Sequence, residues 1–278
     1  MISKKDYPHK EMTLHSSQII VNKSVDSFFI CDIIKLKKFR RVKMENNKPI
    51  KELELYIIRH GQSMGNAGYD KSDDELTQRE IHDPILTEKG KAQADKAGSY
   101  LRETPFDAVF SSAMLRAVET ATEILKYQQN TKTLNILPVA CEMINAPDYK
   151  GATMDDIRSI NANAVLADGV EPDSPMIYSS SIENDEAFAY ERAEKVIGYL
   201  HSSYCNGEKV ALVSHAAFMT YLAFSIMGFS QKAPAFDISF SNTGITKVVF
   251  YKHGTNIYGD TVFEVINDTA HLKENGLI

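Results

Sequence analysis

From residue 51 onward, short apolar runs alternate with stretches whose apolar residues repeat at helical spacing. "ELELYIIRHG" (52–61), "FDAVFSS" (106–112), "TLNILPVA" (133–140) and "EKVALVSH" (208–215) read as strands. Their near-continuous hydrophobicity marks strands covered on both faces. Between them, "LTEKGKAQADKAGSYLRE" (86–103), "SAMLRAVETATEILKY" (112–127) and "DEAFAYERAEKVIGYLHSSY" (185–204) read as helices, and "AAFMTYLAFSIMG" follows the fourth strand as another. Met114, Ala117, Val118, Ala121, Ile124 and Leu125 draw one apolar stripe along the second of these. Such alternation predicts βαβ units, hence an α/β domain with a mostly parallel central sheet and helices on both faces. The last strands, within "GITKVVFYKHGTNIYGDTVFEVIND" (244–268), read as an antiparallel edge hairpin turning near His253–Gly254.

Residues 1–50 follow a different pattern and are expected to form a basic N-terminal extension to a domain at 51–278. Val25, Phe28, Phe29, Ile33 and Leu36 suggest a short amphipathic helix leading into "KLKKFRRVK" (35–43). Residues 1–51 hold twelve Lys/Arg against five Asp/Glu, a balance of +7, so a net charge of −6 leaves −13 on the rest. An acidic body argues against nucleic acid as a partner. The basic arm is expected to be a solvated extension able to touch an anionic surface, with no stable membrane insertion. No window reaches the roughly 18 apolar residues of a membrane span. The cysteines Cys31, Cys141 and Cys205 are scattered and show no metal-ligand spacing, so no metal is expected and a cytoplasmic setting fits. A homodimer is left open.

Sheets of this kind bind ligands outside the carboxyl ends of their strands. The first strand delivers Arg59, His60 and Gly61 to that edge. The second delivers Ser111 and Ser112, with Arg116 one turn into the next helix, and the fourth delivers Ser214 and His215. Four potentially cationic groups repel one another unless an anion joins them. Arginine's planar fork matches phosphate oxygens, and helix N-termini add backbone donors. The pattern predicts a phosphate pocket.

Taken together, "RHGQSMGN", "DPILTEKGKAQA", "SSAMLRAVETA" and "VALVSHAAF" resemble the histidine phosphatase superfamily, which includes the cofactor-dependent phosphoglycerate mutases and many broad phosphatases. The resemblance runs from residue 53 to about 270 and implies a phosphoglycerate mutase-like three-layer sandwich needing no cofactor. It further implies that His60 is the nucleophile that becomes phosphohistidine, and that Arg59, Arg116 and His215 hold the phosphoryl oxygens. Asn66 matches a further pocket donor of the family, and Gly61 lets the backbone pass close beneath the phosphate. An acid is expected about 25 residues after the second arginine. Glu142 stands there, and Asp148 is its competitor.

Two positions depart from the family pattern. Ala216 follows His215 where glycine is common, which preserves a backbone N–H donor. Met64–Gly65 replaces the Glu and aromatic typical of the mutases, which favours the phosphatase branch. Residues 143–184 are expected to cover the pocket, with "TMDDIRSINANAVLA" (153–167) as one helix and 169–184 irregular. Within that cover Arg158 is the sole Arg or Lys after Lys150. The expected substrate is therefore a small phosphorylated metabolite, a monoester rather than a bisphosphate. A mutase and a catalytically silent phospho-ligand binding module remain the alternatives.

Overall fold

β1 (Lys51–Arg59) is buried along most of its length, and its alternate residues serve two separate cores. Leu53, Leu55 and Ile57 enter one apolar cluster, and Tyr56 and Ile58 enter another, as a two-residue period requires of a strand covered on both faces. The computed structural model describes residues 48–278 except 71, 147, 179–184 and 231–233. The expectations for the N-terminal arm and its amphipathic helix lie outside the described residues.

Along the chain β1 is followed by α1 (Met64–Ala67), α2 (Gln78–His82), α3 (Glu88–Leu101), β2 (Ala108–Ser111), α4 (Leu115–Lys126) and β3 (Leu134–Ile136). Then come α5 (Met154–Ile160), β4 (Ala164–Leu166), α6 (Glu186–Ser203), β5 (Glu208–Ser214), α7 (Ala216–Ile226), β6 (Ile245–Tyr251), β7 (Thr261–Asp268) and α8 (Ala270–Lys273). The seven strands form one sheet in the order β4-β3-β2-β5-β1-β6-β7. All neighbours from β4 to β1 are parallel. β6 runs antiparallel to β1 and to the outer strand β7, so the hairpin supplies the antiparallel edge pair. On one face, Ala193, Val196 and Leu200 of α6 pack with Phe218, Met219 and Leu222 of α7. The other face carries Ala117, Val118, Ala121 and Ile124 of α4 with Ile157 of α5. This is the three-layer arrangement expected, and among the described residues no helix is long and apolar enough to cross a membrane.

Two elements differ from expectation. The helix foreseen over 153–167 stops at Ile160, and Ala164–Leu166 becomes a fourth parallel strand beside β3. Asn161 accounts for the break. Its side chain accepts the Asn163 N–H at 3.0 Å, a local turn that competes with helical bonding, and the open edge of β3 offers a ladder instead. The run at 133–140 yields a strand of only three residues, after which Pro138 opens a 3-10 turn over Pro138–Ala140. Proline cannot donate to a ladder.

Candidate active site

The order β2-β5-β1 sets three strand ends side by side, and the predicted residues meet there. Arg59 ends β1 in register with Ser214 at the end of β5. His215 caps α7, and Arg116 lies in the first turn of α4. The rings of His60 and His215 stand 5.0 Å apart between centroids, and Arg116 Nε lies 3.2 Å from His60 Nε2. Both histidines and Arg116 are buried.

Hydrogen bonding assigns the histidine tautomers. His60 Nδ1 lies 2.7 Å from the Gly61 carbonyl, which only accepts, so Nδ1 carries the proton. The lone pair is then on Nε2, which receives the Arg116 Nε–H. Burial first, and the charges of Arg116 and Arg59 next, hold the His60 imidazole well below its ordinary pKa, so it is neutral near pH 7. For His215, Ser112 Oγ stands 2.7 Å from Nε2 and accepts the Met114 N–H at 3.3 Å. Among the described residues Nε2 is the one acceptor within reach of the Ser112 hydroxyl proton; with that proton given to Nε2, Nδ1 carries the imidazole proton. Burial, Arg116 and His60 likewise keep this ring neutral.

Two buried donors at the site have no partner among the described residues: Arg59 Nε and His215 Nδ1. Buried polar groups are rarely left unpaired, and a pair of orphan donors beside Arg116 is the signature of an anion site. Arg59 is aimed by its own Nη1, which donates to the Phe240 carbonyl at 2.7 Å.

The charge of Glu142 acts on the two arginines of this cluster. The Glu142 carboxylate accepts N–H groups of Met143 at 2.9 Å and Phe218 at 3.0 Å through Oε1, and of Ala217 at 3.4 Å through Oε2. Its negative charge raises the pKa values of Arg59 and Arg116, both pulled down first by burial. Asp148 is exposed on the chain beyond it. Ala216 is the half-buried first residue of α7. Asn66 sits in α1 with its Oδ1 accepting from Ser63 N and from Asn242 Nδ2, both at 3.2 Å; the donor it offers is its amide NH2. Gly61 makes its close approach to α3: a Cβ there would lie 2.5 Å from the Gly90 carbonyl oxygen, and one on Gly90 would lie 2.0 Å from that of Gln62. That contact by itself requires glycine at 61 in this structure.

Several residues that build the site were missed by sequence reasoning. Asp83 is wholly buried. It accepts the Leu115 N–H at 2.8 Å and the Tyr149 hydroxyl at 3.3 Å, and lies 3.6 Å from Arg116 Nη1. It thereby orients the arginine that faces His60. Burial outweighs Arg116's attraction and pushes the Asp83 pKa up to about 6. Asn242 Nδ2 holds the His60 carbonyl at 3.1 Å, and Thr120 Oγ1 accepts the Gly61 N–H at 3.0 Å. Arg192, fully buried in α6, donates to the carbonyls of Val139 and Cys141 and lies 4.6 Å from the Phe218 ring, tethering the segment that carries Glu142. Asp83 stands in "DPILT" and Asn242 in "SNTG", but the partners that give them meaning are remote in sequence.

Comparison with known proteins identifies the family. A family model described as the histidine phosphatase superfamily, branch 1, matches residues 55–259. A 2,3-bisphosphoglycerate-dependent phosphoglycerate mutase of Bartonella henselae is 37% identical over 114 residues, 38% of this chain and 50% of that protein. The fructose-2,6-bisphosphatase TIGAR of Xenopus laevis is 37% identical over 83 residues, covering 30% of this chain and 28% of that one. The chain thus spans half or less of the length of these curated relatives. Among solved structures, a phosphoglycerate mutase from Bacillus anthracis str. Sterne superposes with a TM-score of 0.51 at 19% identity, over 82% of this chain and 98% of that one. The phosphoserine phosphatase of Entamoeba histolytica gives 0.50 at 20% identity, over 79% and 99%; at such identity these two speak for the fold. With a family match over most of its length, the chain belongs to branch 1 of the histidine phosphatase superfamily.

Proposed function

We propose that the chain is a metal-independent phosphatase that hydrolyses small phosphate monoesters through a phosphohistidine on His60. One observation carries the reading: the His60 Nε2 lone pair faces the Arg116 guanidinium beside two buried, unpartnered donors on Arg59 and His215. In the first step Nε2 attacks phosphorus. A P–N bond forms and the P–O bond to the alcohol breaks; the proton of the ester monoanion, taken up by the Glu142 carboxylate as the substrate binds, passes to the departing oxygen through Oε2, the oxygen with the longer protein contact. Arg59, Arg116 and His215 neutralise the charge on the equatorial oxygens. In the second step Glu142, now a carboxylate, takes a proton from water, whose oxygen attacks phosphorus. The P–N bond breaks and inorganic phosphate leaves.

A mutase reading draws on the Bartonella relative, which is itself a phosphoglycerate mutase. The readings part on the fate of the phosphoryl group, released as phosphate or returned to a substrate hydroxyl. The test is to follow phosphate release from p-nitrophenyl phosphate by the full chain and by its His60→Ala variant, and to quench with substrate to capture an acid-labile phosphoenzyme. Loss of both release and phosphoenzyme in the variant is the expected result. Turnover surviving in His60→Ala overturns the nucleophile, and an intact chain that forms no phosphoenzyme is a silent binding module. A cytoplasmic setting is part of the proposal and suits the free thiols of Cys141 and Cys205.

A further inference from the structure

Beside the phosphate site a groove of about 500 Å³ runs along α7, lined by Ala217, Thr220, Tyr221, Phe224, Pro234 and Phe236 among others. Each of its walls is tied to the reacting centre by one hydrogen bond. One wall is α7, capped by His215, and its Ala217 N–H is held by Glu142. The other is the loop that reaches Phe240, whose carbonyl aims Arg59. Thr220 Oγ1 joins the walls through the Ile238 carbonyl at 3.2 Å. An acid that protonates a leaving oxygen must touch it, so an alcohol leaving beside Glu142 departs along Ala217 into this groove. From Ala217 to Phe224 the helix rises about 10 Å, the length of an aromatic ring on a short chain.

The lining is apolar and aromatic. Phe236, 55% exposed, stands edge-on to Phe224 at 5.5 Å, an open apolar surface of the kind that marks a binding site. The charge on the described lining is negative: Asp237, fixed by the Ile238 N–H at 2.7 Å. The Tyr221 hydroxyl is pushed up in pKa by burial first and then by the charges of Glu186 and Asp237, and Asp237 sets its negative charge on the lining itself. A second phosphate or a carboxylate is disfavoured there.

We propose that this groove is the leaving-group subsite and that it selects monoesters of uncharged apolar alcohols, aromatic ones above all, over those of carboxylated or bisphosphorylated sugars. The proposal rests on the phosphatase reading of the site. Its first test compares kcat/KM of the full chain for 2-phenylethyl phosphate, ethyl phosphate and 3-phosphoglycerate, whose alkyl leaving groups differ little in reactivity. The expected preference for the phenylethyl ester over ethyl phosphate is about tenfold, the effect of partly burying one ring. Phe236→Ser should cut that ratio about threefold, and Asp237→Asn should raise 3-phosphoglycerate relative to the phenylethyl ester. A second arm, calorimetric binding of 2-phenylethylphosphonate against ethylphosphonate, does not depend on turnover. Tighter binding of the phenylethyl compound with no hydrolysis of either ester sustains the groove and overturns the phosphatase reading. Equal affinities of the two phosphonates, no binding of either, or a ratio that Phe236→Ser leaves unmoved overturn the groove.

Discussion

Replacing Asp83 with Asn tests the electrostatic account of the site most directly, because a carboxyl is removed without changing its shape. In the folded chain Asp83 is wholly buried and its pKa is raised from 3.8 to about 6, by burial more than Arg116 can offset. That difference is worth about 3 kcal/mol. Because the folded-state value lies above the unfolded one, the carboxyl contributes stability that is full below 3.8 and lost as pH rises through about 6. Between about pH 5 and pH 7.5 the wild-type chain should lose roughly 1.4 kcal/mol from this group alone. The amide of the Asp83→Asn variant does not titrate, so that chain should lose none of it. The attraction of Arg116 for the ionised carboxylate is already contained in the value of about 6, so exchanging the neutral carboxyl for an amide adds only a constant offset across this range.

The raw stability curve will not show the effect. His60 and His215, held well below 6.5, act in the opposite direction and lose stability as pH falls through 6.5. Asp83 is not among the groups that set their pKa values, so a double difference cancels them. The assay is urea unfolding of both chains at the two pH values. The wild-type minus Asp83→Asn stability should fall by about 1.4 kcal/mol on going from the lower to the higher pH. A change smaller than ~0.3 kcal/mol, or one of opposite sign, would refute the claim that burial dominates at Asp83.

Four further outcomes are expected. Arg116→Lys removes the Nε donor that meets His60 at 3.2 Å and should lower kcat for p-nitrophenyl phosphate by about a hundredfold, with retention of wild-type kcat counting against the site. Ser112→Ala strips His215 Nε2 of its partner at 2.7 Å and frees the ring to turn; affinity for inorganic phosphate, read by calorimetry, should drop about tenfold. Gly61→Ala drives a methyl to 2.5 Å from the Gly90 carbonyl oxygen and should destabilise the chain by about 2 kcal/mol or more in urea melts. Glu142→Gln should slow alkyl phosphates far more than p-nitrophenyl phosphate, whose leaving group needs no proton; equal losses on both would mark Glu142 as structural.

How far the sequence reaches is plain from particular residues. β1, β2 and β5 are buried on both faces, so their composition alone marks them, and polar residues at the ends of such runs can only lie at a sheet edge. That is why Arg59, His60, Arg116 and His215 could be placed together from order and spacing. β4 could not, because "NANAVLA" carries no strand signal of its own and forms one only against the free edge of β3. The neighbours of the catalytic candidates escaped for a similar reason. Nothing local in "DPILT" shows that Asp83 ends up beside Arg116 and Tyr149, or that Arg192 steadies the segment carrying Glu142.

The chain's pattern by itself determined a parallel, doubly covered sheet and the cationic residues at its carboxyl edge, since burial periodicity and strand-end chemistry are properties of short stretches. Tertiary structure alone decided which imidazole nitrogen bears the proton, which donors stay unpaired, and how closely Gly61 approaches Gly90. Tautomer, desolvation and close backbone approach all depend on groups brought from distant parts of the chain, and their energies do not exist until those groups meet.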